Sequence, residues 1–102
     1  MPKQRRISWR PSARDDLADI VERIIEDSPQ AAENLFDAIE RSVQILPRFP
    51  LLFQESDRMP GTREIPVLGS FLVFYRVDSE TIEVIGVAHG RRKFPVRGWE
   101  SR

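Results

Sequence analysis

A single histidine followed at once by basic residues is the part of this sequence best suited to chemistry. His89 is the only histidine, and Arg91, Arg92 and Lys93 follow it after Gly90. An imidazole ordinarily titrates near neutral pH, so His89 beside Arg91 has the make-up of a general acid or base. The alternative is a histidine at a strand end that hydrogen-bonds to backbone and holds the next turn.

The basic side chains that follow His89 form a candidate anion-binding cluster. Guanidinium groups bind both phosphates and carboxylates in a bidentate manner, so residues 91–93 suit either ligand. The alternative is a solvated cluster after the last strand. Arg63 is a second candidate, which could instead form an ion pair with Glu64, Glu83 or another acid across the sheet.

The composition excludes several other kinds of site. The 102 residues contain no cysteine, which excludes a disulfide framework, a thiolate metal site and a cysteine nucleophile. No apolar run approaches the ~20 residues of a membrane span, and the basic first residues lack the apolar core of a signal peptide. We therefore expect a cytoplasmic protein without metal or cofactor, with one domain at residues 1–95 and a basic tail at 96–102.

The charges sum to zero but are segregated along the chain. Residues 1–10 carry four bases and no acid, and residues 84–102 carry five bases against one acid. Residues 11–46 carry nine acids against three bases. A local field of this kind can attract an acidic partner or nucleic acid, although ordinary surface scatter is the alternative.

Two amphipathic helices are predicted in the first half of the chain. Apolar residues at a spacing of three and four indicate a helix over about residues 12–27, started by Ser12 with Asp15 in a capping-box arrangement. Ser28-Pro29 indicates an immediate second helix, which Pro47 ends. With almost no linker, the two should pack as a hairpin.

Four short strands complete the prediction. One lies at residues 5–9, and three follow the proline-rich loop of residues 47–61, at about 63–67, 71–77 and 81–88. Pro66 suggests an edge position or a bulge for the second strand, and the almost wholly apolar third strand suggests a central one. The expected fold is α+β, in the order β-α-α-β-β-β, with the helical hairpin packed on a small antiparallel sheet.

The remaining candidate functional residues are aromatic, and we expect most of them to pack inside the domain. Tyr75 could donate a proton or stack on a ligand, but we expect it in the core or at its boundary, and Trp9 against the helices. Trp99 lies in the basic tail and could anchor on the domain or on a partner.

Several motifs together resemble the toxins of the RelE/ParE superfamily, over about residues 5–95. The most specific part is an Arg-Glu-Ile strand followed by an apolar strand that ends in His-Gly-Arg-Arg. The matching stretches are residues 8–17, 62–65, 71–77 and 82–92.

The resemblance implies a toxin of a type II toxin–antitoxin module, held inactive by a cognate antitoxin in a hetero-oligomer. It also implies growth inhibition, a role in plasmid stabilization, and contact with operator DNA only through the antitoxin. Two activities occur in such proteins: ribosome-dependent cleavage of messenger RNA, and inhibition of DNA gyrase. A member that only binds its antitoxin is a third possibility.

The site residues favour the gyrase inhibitor. In the RelE-like nucleases, basic residues on the sheet strands surround the scissile phosphate, whereas this sequence has Ile65 and Leu72 at two such positions. If the protein were a nuclease, its catalytic residues would be His89, Arg63 and Arg91. As a ParE-like toxin it would use Arg63 and residues 91–93 to bind its target or antitoxin.

Overall fold

The computed structural model describes residues 4–91, which contain two helices and four strands. The strands are β1 (Arg6–Trp9), β2 (Arg63–Val67), β3 (Phe71–Val77) and β4 (Thr81–His89), and the helices are α1 (Pro11–Asp27) and α2 (Pro29–Gln44). The order β-α-α-β-β-β and the α+β class are as predicted. The predicted tail at 96–102 lies outside the described residues.

The sheet is mixed, with the strand order β1-β4-β3-β2. β2, β3 and β4 form the expected antiparallel meander, but β1 pairs with β4 in parallel, from Arg6 opposite Thr81 to Trp9 opposite Val84. Short turns fix the relative directions of the last three strands only. The helical hairpin lies between β1 and the other strands in the chain. A connection of this length allows β1 to pair in parallel or antiparallel with a later strand.

The two helices begin differently. Ser28 caps α2 as predicted, because its hydroxyl accepts a hydrogen bond from the Ala31 amide at 3.1 Å and Pro29 takes the first helical position. The predicted capping box at Ser12 is wrong. Pro11 already starts α1 behind an extended Arg10, and the buried Ser12 hydroxyl has no hydrogen-bond partner among the described residues.

Apolar side chains bury both faces of β3. On one face, Val73 and Tyr75 pack in the main core with Leu35, Ile39 and Val43 of α2. On the other, a smaller cluster is formed by Met59, Leu72, Phe74, Ile85 and Ala88. The loop between α2 and β2 supplies Met59, whose amide donates to the Ser56 hydroxyl at 3.0 Å. The central position predicted for β3 is therefore confirmed, as is the edge position of β2 with Pro66.

A β-bulge in β4 changes the alternation of its side chains. Tyr75 lies opposite Val84, whereas the preceding Phe74 lies opposite Gly86, so Ile85 is the extra residue. Val84 and Val87 consequently both join the main core, although they are three positions apart. No helix among the described residues is long and apolar enough to cross a bilayer.

Tyr75 joins the core to the loop that precedes β2. Its side chain is fully buried, and its hydroxyl donates to the carbonyl of Pro50 at 2.8 Å. Burial raises the pKa of Tyr75 above its ordinary 10.0, and a backbone hydrogen bond at Phe53 and the charge of Arg63 oppose this only in part. The predicted core role of Tyr75 is confirmed, which leaves no exposed phenol to act as a proton donor.

Tyr75 predicts a pH-dependent stability. The pKa of Tyr75 is higher in the folded than in the unfolded protein. Its contribution to the free energy of unfolding is therefore present in full below pH ~10, and it is lost as the pH rises through the folded-state pKa. Tyr75→Phe should lower the free energy of unfolding by about 1–2 kcal/mol at pH 7 by leaving the Pro50 carbonyl unpaired. Denaturant unfolding at pH 7 would measure the effect of Tyr75→Phe, and unfolding of the unsubstituted protein above pH 10 would measure the alkaline loss of stability.

The alkaline measurement has an internal control, since Tyr75 is the only tyrosine. Its ultraviolet absorbance should titrate above pH 10 in the folded protein and near pH 10 in denaturant. A folded-state midpoint at or below the denatured one would contradict the burial argument.

Candidate functional site

His89 occupies the last position of β4, where it holds the following turn. Its Nδ1 accepts a hydrogen bond from the Arg91 amide at 3.3 Å, and its ring packs edge-on against Phe71 with centroids 5.1 Å apart. An accepting Nδ1 places the proton of the neutral ring on Nε2. This geometry matches the turn-holding alternative of the sequence analysis and leaves Nε2 as the atom that could face a ligand.

Gly90 brings the chain close to the β2–β3 turn. Its amide donates to the Ser70 carbonyl at 2.7 Å, and a Cβ at this position would lie 3.4 Å from the same oxygen. This close approach holds the exposed Arg91 at the end of the sheet. Arg92, Lys93 and Trp99, which the sequence analysis also singled out, lie outside the described residues.

Arg63 lies at the opposite end of the meander. One guanidinium nitrogen donates to the Phe53 carbonyl at 2.8 Å, and another lies 3.7 Å from the carboxylate of Glu55. The acids first considered as partners are bound elsewhere: Glu64 to Arg58 at 2.7 Å, and Glu83 to Arg76 at 2.8 Å and to Arg10 at 3.2 Å. Arg63 thus anchors the loop before β2.

The three residues proposed for a nuclease do not converge. Arg63 is opposite Tyr75, whereas His89 is opposite Phe71, four residues away along β3. At about 3.3 Å per residue, this separates the two backbones by roughly 13 Å. The concavity beside Arg63 is lined by Leu51, Glu55, Tyr75 and Arg76, and it includes neither His89 nor Arg91.

The two apolar positions used in the sequence argument face opposite sides of the sheet. Ile65 is buried in the main core against the helices, so its lack of charge carries no information about a catalytic surface. The expectation that position 65 faces a catalytic surface is therefore wrong, since Ile65 lies on the same face of β2 as the buried Val67. Leu72 faces the other side, where it is buried with Met59.

Asp16 is a residue that the sequence analysis did not single out. Its carboxylate accepts a hydrogen bond from the Val87 amide of β4 at 3.2 Å, across the groove between α1 and the sheet. The helical pattern of residues 12–27 gives no sign of this role, which depends on where β4 lies. No group of three His, Asp or Glu side chains within residues 4–91 is placed to hold a metal ion.

The family model for the ParE toxin of type II toxin–antitoxin systems, parDE, matches residues 7–94. The chain therefore belongs to the ParE toxin family, within the RelE/ParE superfamily that its motifs resemble.

Two solved structures share the fold. A chain of the chromosomal ParDE TA system from P. aeruginosa superposes with a TM-score of 0.72 and 20% identity, covering 84% of this chain and 96% of that one. A chain of the toxin–antitoxin complex RelBE2 from Mycobacterium tuberculosis gives 0.59 and 22% identity, covering 85% and 99%. No protein of curated function matches the sequence.

The basic cluster leads to a first test of the site. Arg91→Ala and Arg92→Ala should each reduce toxicity because each removes an anion-binding guanidinium. For the exposed Arg91, the free energy of unfolding should change by less than about 1 kcal/mol. Growth after induction and denaturant unfolding measure the two effects.

Arg41→Ala is a matched control, since Arg41 is an exposed arginine on α2. It should leave toxicity unchanged. Full toxicity of both single variants and of the double variant would reduce the cluster to a solvated surface.

Proposed function

We propose that this protein is a ParE-like toxin that inhibits DNA gyrase and is neutralised by a cognate antitoxin. The observation that carries the proposal is the match of the ParE toxin family over residues 7–94. The activity itself has to be argued from the site, because one fold can host several activities.

The geometry around His89 favours binding over RNA cleavage. Cleavage through the 2′-hydroxyl needs a base, an acid and cations around a single phosphate. In this chain Arg63 is engaged by Phe53 and Glu55 at one end of the sheet, and His89 and Arg91 lie at the other. Leu72 lines the concavity beside His89 and Arg91, where it is buried with Met59 and contributes no charge. A nuclease would have to assemble its charges from groups that already have other contacts.

The helical hairpin offers a surface for the antitoxin. A shallow apolar groove of about 260 Å³ crosses α1 and α2, and it is lined by Trp9, Leu17, Val21 and Phe36 with Arg14 and Glu40 at its rim. Phe36 is 43% exposed although it belongs to the apolar stripe of α2. An amphipathic segment of the antitoxin that folds on binding would cover this groove, with acidic residues placed near residues 91–93.

The two activities are separated by testing one protein sample on two targets. We expect inhibition of gyrase supercoiling, with filamentation and DNA-damage signalling in cells, and no cleavage of messenger RNA on translating ribosomes. The loss of one transition-state donor typically costs ~10²–10³ in rate, and the three candidate groups are not assembled. His89→Gln should change toxicity little because no proton transfer is required of it.

The opposite result would support a ribosome-dependent nuclease. Efficient cleavage of ribosome-bound messenger, abolished by His89→Gln, would make His89 the acid or base and would overturn gyrase inhibition.

The antitoxin surface gives a further prediction. Phe36→Ala should weaken the complex with the protein encoded by the adjacent gene by about tenfold or more, since a central aromatic anchor typically contributes over ~1.4 kcal/mol to binding. Titration calorimetry of the co-purified pair would measure the change. Leu68→Ala is the control, because Leu68 is 61% exposed but lies in the turn after β2 and does not line the groove. Equal affinities of the two variants would place the antitoxin elsewhere.

A further inference from the structure

Leu68, in the turn between β2 and β3, is unfavourable in two respects. Its φ of 51° lies in the left-handed region of backbone conformation. Bulky side chains rarely adopt this region, because their Cβ approaches the following carbonyl oxygen. The same side chain is 61% exposed, although leucine gains free energy from burial.

The geometry of the turn explains the backbone conformation but not the choice of residue. The Ser70 amide donates to the Val67 carbonyl at 3.3 Å, and Gly69 also has a positive φ, of 74°. A hairpin turn with positive φ at both central positions usually has asparagine, aspartate or glycine at the first of them. Gly69 fits this requirement, whereas Leu68 does not.

Packing does not compensate for the strained backbone of Leu68. Within residues 4–91, this side chain joins neither the main core nor the smaller cluster. Backbone strain of this kind is concentrated at sites that serve a function. An exposed leucine on a strained turn is therefore a candidate contact residue.

The turn that carries Leu68 is held firmly at both of its ends. Val67 is buried in the main core, and Phe71 packs against the same core. The Ser70 carbonyl accepts a hydrogen bond from the Gly90 amide at 2.7 Å, which joins the turn to the end of β4. A partner that binds Leu68 would therefore not have to order the turn first, which favours affinity.

A basic concavity of about 320 Å³ lies beside this turn. It is lined by Gly69 and Ser70 of the turn and by Arg58, His89 and Arg91. Every ionisable side chain that lines it among residues 4–91 is a base. The groove between α1 and β4 differs in this respect, because acids and bases line it in equal number. The concavity is thus suited to an acidic ligand.

Arg58 is the member of this concavity that the sequence analysis did not single out. Its Nη1 donates to the Glu64 carboxylate at 2.7 Å, and its side chain is exposed. A guanidinium group carries five N–H donors, so this bond leaves others to bind an anion. Glu64 thus holds the Arg58 guanidinium beside the turn without occupying all of it.

We propose that Leu68 and the basic concavity together form the surface that contacts the target of the toxin. The partner is a protein surface that has an apolar pocket for Leu68 and carboxylates for Arg58 and Arg91. A protein is favoured over a nucleic acid because the phosphate backbone, which dominates affinity for nucleic acids, has no use for an apolar side chain. The identity of this protein as gyrase rests on the proposed function, whereas the contact surface itself does not.

Replacement of Leu68 by asparagine separates a contact role from a structural role. Asparagine adopts positive φ more readily, so Leu68→Asn should raise the denaturant concentration at the unfolding midpoint. It should also weaken toxicity, so that about ten times more protein is needed for the same growth arrest. Leu68→Met keeps the apolar side chain and should remain fully toxic. Full toxicity of Leu68→Asn, or a lowered unfolding midpoint, would overturn the proposal.

Two matched controls test whether the effect is local to this surface. Leu52→Asn changes another exposed leucine that does not line the concavity, and it should leave toxicity unchanged. Arg58→Gln should weaken toxicity, whereas Arg48→Gln, at another exposed arginine of the loop before β2, should not. Equal effects within either pair would count against a defined contact surface.

Binding measurements distinguish a failure of this proposal from a failure of gyrase inhibition. Purified gyrase should bind the unsubstituted toxin about tenfold more tightly than it binds Leu68→Asn. If gyrase binds neither protein but Leu68→Asn is still less toxic, gyrase is the wrong target and the contact surface stands. A short DNA duplex and a short RNA should bind both proteins equally. Loss of their binding in Leu68→Asn would make the surface a nucleic-acid site and would overturn the proposal.

Discussion

The burial of β3 on both faces is the constraint on which the rest of this structure depends. Val73 and Tyr75 require the helical hairpin, while Leu72 and Phe74 require a cover on the opposite side. The loop before β2 provides that cover through Met59, and Tyr75 holds the same loop from the other face through the Pro50 carbonyl. Arg63 and Glu55 then fasten it to the sheet edge. The loop is thus a structural layer, and its Glu55 and Arg58 pair with Arg63 and Glu64 of β2.

The chemistry-bearing residues are left at the two ends of the sheet by this arrangement. His89 ends β4 and Arg91 lies in the turn after it, whereas Arg63 begins β2. A surface of this kind can recognise a macromolecule over a wide area, because binding needs complementary patches rather than several groups around one atom. The distribution of charge therefore supports the proposed binding function.

The sequence was most informative where a local rule determines the structure. Ser28-Pro29 defined the junction of the helices, and the apolar run of β3 defined the central strand. The sequence was least informative where the structure depends on the placement of elements that are distant in the chain. The direction of β1, the Glu55 partner of Arg63 and the Asp16 bond to β4 all depend on elements distant in the chain. The capping box predicted at Ser12 does not form because Pro11 already begins α1. Ile65 is buried because it shares one face of β2 with Val67.

The bulge at Ile85 gives β4 one point at which its length can change without a change of register. Loss of the Ile85 codon would leave Val84 opposite Tyr75 and Gly86 opposite Phe74, so Val84 and Val87 would still share the main core, now by ordinary alternation. His89 and the turn after it would keep their side of the sheet. Such a deletion would cost the Ile85 side chain of the smaller cluster, not the pairing of β4 with β3.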